Sequence, residues 1–163
     1  MTVKVGLPPV ARSDARLFIL GSLPGDASLA AKRYYAHPRN AFWRLAGTVI
    51  GEELHGIDYP ARLERLVARR IGLWDVVAHA TRRGSLDQAI RDAGHNPLAD
   101  FFAGFPDLEA VAFNGAAAAI AGRRLLAEVS LTLIDLPSSS PANTRPFEDK
   151  ARAWSQLKRY CGD

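Results

Sequence analysis

The chain has 163 residues, 48% of them hydrophobic, with 21 Lys and Arg against 17 Asp and Glu and a single cysteine, Cys161. This composition predicts one compact soluble domain over residues 1–163, and it excludes an intrachain disulfide, a cysteine-built metal site, a signal peptide and a membrane span. We therefore expect a cytoplasmic, monomeric protein without metal, cofactor or membrane contact, whose net charge of +4 permits a polyanionic partner without requiring one.

Apolar runs typical of buried strands alternate with segments of helical periodicity. In chain order these are strand Leu17–Leu20, helix Phe42–Ile50, helix Pro60–Arg70, strand Ile71–Ala78, helix Leu86–Asp92, helix Pro97–Phe102, strand Leu108–Phe113, helix Ala116–Glu128, strand Leu131–Leu136 and helix Phe147–Tyr160. We expect Asn96 to cap the fourth helix, and Trp154 and Leu157 to face inward from the last. The alternation favours an α/β fold, a single three-layer domain with a central four-stranded parallel sheet and helices on both faces.

Polar, turn-rich loops follow all four predicted strands. In a parallel α/β sheet such loops converge at the carboxyl edge, where these folds bind ligands. Any one loop alone could be a surface turn, but four together favour a binding site. The loops are residues 21–40, Thr81–Asp87, Asn114-Gly115 and Pro137–Arg145.

The first of these loops carries an unusual density of constrained residues. The turn Gly21-Ser-Leu-Pro-Gly25 lets backbone N–H groups approach a ligand closely. Tyr34 and Tyr35 offer flat apolar faces, and Asn40 offers an amide donor and acceptor. These residues predict a pocket that stacks on a ring and hydrogen-bonds its edge.

The remaining loops each have a functional and a structural interpretation. The serines 138–140 can hold a phosphate through hydroxyls and backbone amides, or form a solvated linker. Asn114 can read a base edge or form a β-to-α turn. Residues 81–85 can contact phosphates or lead into a helix capped by Ser85, and we favour the cap. Asp75, an acid in a buried run, needs partners, and we interpret it as an anchor for the loops rather than a catalytic group.

Together these motifs resemble the uracil-DNA glycosylase superfamily. Gly21-Ser-Leu-Pro-Gly25 stands where mismatch-specific uracil/thymine glycosylases carry Gly-Ile-Asn-Pro-Gly. Tyr35-Ala-His-Pro-Arg-Asn40-Ala-Phe-Trp43 is similar to their Phe-Ala-His-Pro-x-Asn-Arg-Phe-Trp, and Leu136-Pro-Ser-Ser-Ser140 resembles the second superfamily motif. The hypoxanthine-DNA (deoxyinosine) glycosylase branch is most similar, through its Tyr-Tyr-x-x-Pro-Arg-Asn-x-Phe-Trp, Trp-Asp-Val, Phe-Asn-Gly and Leu-Pro-Ser-x-Ser-Pro-Ala patterns.

The resemblance implies a monofunctional glycosylase that flips a deaminated base out of DNA and hydrolyses its N-glycosidic bond, with hypoxanthine and uracil as candidate bases that the sequence does not rank. It places the catalytic amide at Asn40, because Leu23 stands where the mismatch-specific enzymes carry their catalytic Asn. The implied base-binding residues are Gly21, Ser22, Leu23, Pro24, Gly25, Tyr35, Phe113 and Asn114. The implied DNA-binding residues are Ser28, Ser138, Ser139, Ser140, Asn143 and Arg145, the last two as candidates to fill the gap left by the base.

Two other functions stay open at this point. Leu23 favours a DNA-binding module that flips bases without cutting them, while Asn40 speaks against it. A small-molecule nucleosidase would need carboxylates for the ribose hydroxyls, and only Asp26 lies in the first loop. The expected partner is DNA that contains a damaged base.

Overall fold

The structure, a computed structural model, describes residues 3–162 and contains seven strands, six α-helices and two 3₁₀ helices within that range. The strands are β1 Val3–Val5, β2 Leu17–Gly21, β3 Ile71–Asp75, β4 Val77–Arg82, β5 Ile90–His95, β6 Ala110–Asn114 and β7 Thr132–Leu136. The α-helices are α1 Asp26–Ala31, α2 Phe42–Ile50, α3 Tyr59–Ala68, α4 Leu98–Phe102, α5 Ala116–Leu125 and α6 Phe147–Trp154. The 3₁₀ helices are Asp87–Ala89 and Ser155–Tyr160.

Four strands form the main sheet, which is parallel throughout and has the order β3-β2-β6-β7. This confirms the predicted α/β fold with a four-stranded parallel sheet. In the register, Gly21 lies beside Asp75, and Asn114 lies beside Leu136. The strands therefore end together, and the loops that follow them share one edge.

Two large apolar clusters cover the two faces of the main sheet, and a small third cluster contains Leu23, Val77 and Ala80. Along β2, Leu17 and Ile19 pack with residues of α2, α3 and α6, whereas Phe18 and Leu20 pack with residues of α4 and α5. This alternation is expected for a strand with helices on both sides. Trp154 and Leu157 are fully buried, as expected from the sequence.

A second, three-stranded antiparallel sheet lies beside the main one, and the sequence analysis did not predict it. The predicted strand Ile71–Ala78 is wrong as a single element, because the chain leaves the parallel sheet after Asp75 and continues as β4 between β1 and β5. The predicted helix Leu86–Asp92 is also wrong. Its apolar residues have helical spacing, but backbone pairing with β4 extends the chain from Ile90.

The expected cap of α4 is a further correction. The Asn96 side chain does not bind the first turn of that helix; its Nδ2 donates to the carbonyl oxygen of Asp75 at 2.8 Å. The Asn96 N–H donates to Val76 in addition. Asn96 therefore ties the end of β3 in place. Among the helices of residues 3–162, none has the length and apolar character needed to cross a bilayer.

Candidate active site

The loops that leave the parallel strands enclose a cleft at the carboxyl edge of the sheet. Its cavity volume is about 930 Å³, which lies within the range of roughly 300–1,000 Å³ typical of ligand pockets. The lining includes residues 21–25, Ser28, Tyr34, Tyr35, Asn40, Asp75, residues 85–88, Asn114, residues 115–117 and residues 138–143. The sequence-predicted site residues therefore converge, except Phe113 and Arg145, which do not line the cleft.

Tyr35 presents a fixed aromatic ring to the cleft. Its ring stacks on Phe42 with centroids 3.9 Å apart and planes at 13°, and its backbone is left-handed, with φ at 54°. The buried hydroxyl has no hydrogen-bond partner among the described residues. Burial and the nearby Asp75 raise the pKa of this phenol. Phe42 therefore covers one face of the Tyr35 ring, and the Tyr35 hydroxyl has no hydrogen-bond partner among the described residues.

Tyr34 has a different role from its neighbour. It is buried, its hydroxyl donates to the carbonyl oxygen of Pro8 at 2.7 Å, and its backbone N–H donates to the Tyr59 hydroxyl at 2.9 Å. The Trp43 indole N–H donates to the Tyr34 carbonyl. Tyr34 thus anchors the loop to the core, and Tyr35 is the residue with ring area available to a ligand.

Asn40 lies where the loop enters α2. Its Oδ1 accepts a hydrogen bond from the Phe42 N–H at 2.9 Å, and its own N–H donates to the His37 carbonyl at 3.0 Å. The side-chain carbonyl therefore closes a local turn just before α2, whose cap position is Ala41. Within residues 3–162 the side-chain NH₂ group makes no comparable contact, and Asn40 lines the cleft, so this group is available as a donor there.

Asn114 and Ser139 form a reciprocal pair. The Asn114 Nδ2 donates to the Ser139 hydroxyl oxygen, and the Ser139 N–H donates to the Asn114 Oδ1, both at 2.9 Å. Ser139 is only 1% exposed. In this structure Ser139 joins the loop after β7 to the end of β6, and its carbonyl also accepts from the Ala41 N–H. That its hydroxyl contacts a phosphate stays a prediction.

The rest of the serine loop is tied by short-range hydrogen bonds. The Ser138 hydroxyl accepts from the Ser140 N–H and the Ser140 hydroxyl from the Ala142 N–H, both at 3.1 Å. The Asn143 Nδ2 donates to the Ser138 carbonyl, and its Oδ1 accepts from the Arg145 N–H. Arg145 itself is exposed. The loop is therefore preformed, with its hydroxyl groups at the rim of the cleft.

Lys150 supports this loop from below, a role that the sequence analysis missed. It is 4% exposed, and its Nζ donates to the carbonyl oxygens of Ser140 at 3.3 Å and Asn143 at 2.8 Å. Burial, with Arg145 and Arg44 nearby, lowers the pKa of this amine. The signal for it was weak, because a lysine on an amphipathic helix is usually solvated.

Two residues that the resemblance implies as ligand contacts, Ser28 and Phe113, have side chains that make contacts within the fold. Ser28 is buried and its hydroxyl accepts from the Ala36 N–H at 3.0 Å, so it closes the first loop on itself rather than reaching a phosphate. Phe113 is fully buried in the cluster beneath α5, with its ring against Gly122. The Phe113 side chain thus faces away from the cleft, since successive strand residues face opposite sides and Asn114 takes the cleft side. That Phe113 contributes to base binding stays a prediction.

Arg82 is neither a phosphate contact nor a solvated residue. It is 2% exposed, and its guanidinium donates to the carbonyl oxygens of Leu23 at 3.2 Å, Pro24 at 2.6 Å and Gly84 at 2.8 Å. The Asp26 carboxylate lies 3.7 Å away. Arg82 therefore fixes the turn of residues 21–25 from behind.

Ser85 does cap a helix, but not the one that follows it. Its hydroxyl oxygen accepts from the Asp26 N–H, the first residue of α1, at 2.9 Å. Gly25, at the cap position of α1, has no side chain to do this. The segment after β4 is thereby fastened to the first loop.

Asp75 is the cleft residue that the sequence analysis assigned least accurately. It is 3% exposed, and its Oδ2 has no hydrogen-bond partner among the described residues, so this oxygen does not anchor the loops. Burial and the neighbouring Asp87 raise its pKa to about 7. Asp87 in turn accepts from the Ser22 hydroxyl. A sequence signal existed, because Asp75 ends its strand beside Gly21 of the first motif.

Within residues 3–162, no group of three His, Cys, Asp or Glu side chains is placed to hold a metal ion. The family model of the Uracil DNA glycosylase superfamily matches residues 8–158. The chain belongs to this superfamily. This confirms the resemblance found in the motifs, and it fits the three-layer fold with the motif loops at one sheet edge.

Individual members of the superfamily are similar over almost the whole chain. A protein of Methanosarcina barkeri (strain Fusaro / DSM 804) named hypoxanthine DNA glycosylase is 42% identical over 153 residues, which cover 94% of this chain and 96% of the relative. One of the same name from Methanosarcina acetivorans is 38% identical over 158 residues, covering 97% and 99%. The solution NMR structure of a Methanosarcina acetivorans protein described provisionally as a uracil DNA glycosylase has a TM-score of 0.88 at 38% identity, covering 97% of this chain and 98% of that one.

Proposed function

We propose that this superfamily member is a monofunctional DNA glycosylase that hydrolyses the N-glycosidic bond of a flipped deaminated base in DNA. Hypoxanthine is the first candidate base and uracil the second. The observation that carries the proposal is the cleft itself, in which the Tyr35 ring, the free Asn40 amide and the turn of residues 21–25 surround one cavity. The names of the two Methanosarcina relatives support the choice of hypoxanthine.

The reaction requires stabilisation of charge on both fragments. As the bond breaks, the sugar gains oxocarbenium character and the departing base gains negative charge. A preorganised donor aimed at the base lowers the barrier for this step. Because the Asn40 Oδ1 already accepts from the Phe42 N–H, the geometry favours donation from its NH₂ group to the base over activation of water by its carbonyl.

The base would be held by stacking and by edge contacts. Tyr35, fixed against Phe42, offers the aromatic surface on which a flipped base can stack. Backbone N–H groups of the turn at residues 21–25, which Arg82 holds from behind, would meet the polar edge. Leu23, buried against Val77 and Ala80, contributes apolar surface only.

DNA would be gripped at the rim of the cleft. Ser138, Ser140 and Asn143 lie there on a preformed loop, and the exposed Arg145 follows them. Such groups suit phosphate contacts, which position the duplex without reading sequence. Among the described residues that line the cleft none is a lysine, which supports hydrolysis over Schiff-base chemistry. We propose that residues 1–163 act as one intracellular, monomeric domain.

A base-flipping module without catalysis is the second candidate, favoured by the apolar Leu23 in the first motif. One experiment separates the two. Purified protein is incubated with duplexes that carry a single inosine, uracil, xanthine or mismatched thymine, and alkali then reveals abasic sites. Release of base from the inosine duplex supports the glycosylase, whereas tight binding to it without release from any duplex supports the module.

A further inference from the structure

Two residues that line the cleft each carry a buried polar atom without a partner among the described residues. These atoms are the Asp75 Oδ2 and the Tyr35 hydroxyl. Leaving a buried polar group unpaired costs about 1–3 kcal/mol, so such atoms are uncommon unless a ligand satisfies them. Neither atom is used by the mechanism proposed above.

Gly21 explains how both groups reach this position. A Cβ built on Gly21 would lie 2.6 Å from the Asp75 Oδ1 and 3.2 Å from the Tyr35 hydroxyl. Only a glycine at this point of the first motif therefore leaves room for the carboxyl group. The same two strand ends, β2 and β3, carry Gly21 and Asp75 side by side in the register. The arrangement thus belongs to the base-binding turn and not to the core.

We infer that Asp75 contacts the flipped base in its protonated form and donates a hydrogen bond to it from the carboxyl group. The inference rests on the proposed glycosylase function. A neutral carboxyl group offers a donor and an acceptor, whereas a carboxylate offers acceptors only. An anion in the floor of the cleft would also repel the negative charge that develops on the departing base.

The groups around Asp75 favour the protonated state. Asp87 faces it from the 3₁₀ helix, and Tyr34 and Tyr35 face it from the first loop. Arg82 on β4 is the one cation among these, and its guanidinium is already occupied by carbonyl oxygens. Burial and Asp87 outweigh Arg82 and raise the Asp75 pKa to about 7. The acid is therefore neutral below that pH and ionised above it.

The test compares the wild-type protein with Asp75→Asn, which has the same shape and a permanent donor but does not titrate. The rate of single-turnover hypoxanthine release is measured between about pH 5.5 and 8.5. The quantity compared across pH is kcat/KM, because its pH dependence reports ionisations of the free enzyme. The wild-type rate should fall by up to about tenfold per pH unit above the Asp75 pKa. The Asp75→Asn rate should stay flat over that range. A flat wild-type profile, or the same fall in both proteins, would overturn the inference.

A direct titration keeps the inference testable if Asp75→Asn does not fold. The ¹³C shift of the Asp75 carboxyl group in the wild-type protein should titrate near neutral pH. A midpoint near the ordinary value of about 4 would overturn the inference. If the wild-type protein releases no base from any duplex, the proposed function fails as well. Base release with an unchanged pH profile in Asp75→Asn contradicts the role of Asp75 alone.

Discussion

Asn114 and Ser139 exchange two hydrogen bonds of 2.9 Å across the carboxyl edge of the parallel sheet. The pair joins the loop after β7 to the end of β6, and it uses the hydroxyl that the triple-serine motif offered as a phosphate contact. Which serine meets DNA therefore depends on burial, and not on position in the motif.

Ser139→Asp should destabilise the fold, because it places a charge at a position that is 1% exposed. Burial of an unpaired charge is among the costliest single changes, and we expect a loss of about 3 kcal/mol or more in the free energy of unfolding. Urea denaturation followed by fluorescence would measure it.

The matched variant is Ser140→Asp, at a half-buried position of the same loop. It should leave the unfolding free energy within about 1 kcal/mol of wild type and weaken DNA binding by repelling phosphate. Fluorescence anisotropy with a labelled duplex at several salt concentrations gives the affinity. Equal free energies of unfolding for Ser139→Asp and Ser140→Asp would contradict the assignment of Ser139 as a buried residue that joins the loop after β7 to β6.

The two neighbouring tyrosines should separate binding from stability. Tyr35→Ala removes the ring that lines the cleft, and we expect a loss of about 1–3 kcal/mol in binding of the flipped base. Tyr34→Ala removes a buried ring and its bond to Pro8, so it should lower the free energy of unfolding by about 3–5 kcal/mol. Equilibrium binding and urea denaturation of both variants would test this, and a larger loss of base binding in a still folded Tyr34→Ala would reverse the assignment.

Arg82, unlike its neighbour Arg83, should contribute both to the free energy of unfolding and to the rate of base release. Arg82→Met leaves the carbonyl oxygens of Leu23 and Pro24 without donors, at a cost of about 1–3 kcal/mol for each buried group that stays unpaired. It should also loosen the base-binding turn and slow base release. Arg83→Ala, at an exposed position, is the control and should change neither quantity. Identical urea denaturation curves for the two variants would contradict the role of Arg82.

The parallel sheet could be predicted because its strands are continuous apolar runs, which is what burial on both faces demands. The hairpin of β4 and β5 could not be predicted from the sequence. Its strands are partly exposed, and the spacing of Leu86 and Ile90 is the spacing of a helical face. The apolar run from Ile71 to Ala78 also hides the change of sheet, because Val77 continues the apolar pattern into a strand that pairs elsewhere.

In the site, the motif loops and the positions of Tyr35 and Asn40 could be predicted, since constrained residues concentrate after a buried strand. The partners of each polar group could not, because sequence spacing does not say which groups meet across loops. Arg82 therefore seemed to be a solvated or phosphate-binding residue, although it holds the turn from inside the fold. Asp75 seemed to be an anchor, although its Oδ2 has no hydrogen-bond partner among the described residues.

The central claim is that the Asn40 amide stabilises the departing base. Asn40→Asp keeps an oxygen that can accept from the Phe42 N–H but replaces the NH₂ donor by a charged oxygen, whereas Asn40→Ala removes donor and acceptor without adding charge. The loss of a preorganised donor should lower the rate by about 10²-fold or more in each variant, and binding to an abasic product should be largely unchanged.

The most direct measurement is single-turnover release of hypoxanthine from an inosine duplex by the wild-type protein, Asn40→Asp and Asn40→Ala, with urea denaturation of each as the control for folding. Asn40→Asp should retain the hydrogen bond to the Phe42 N–H, and with it the wild-type stability, and still lose about 10²-fold or more in rate, as Asn40→Ala does. A wild-type rate of base release in folded Asn40→Asp or Asn40→Ala would contradict it.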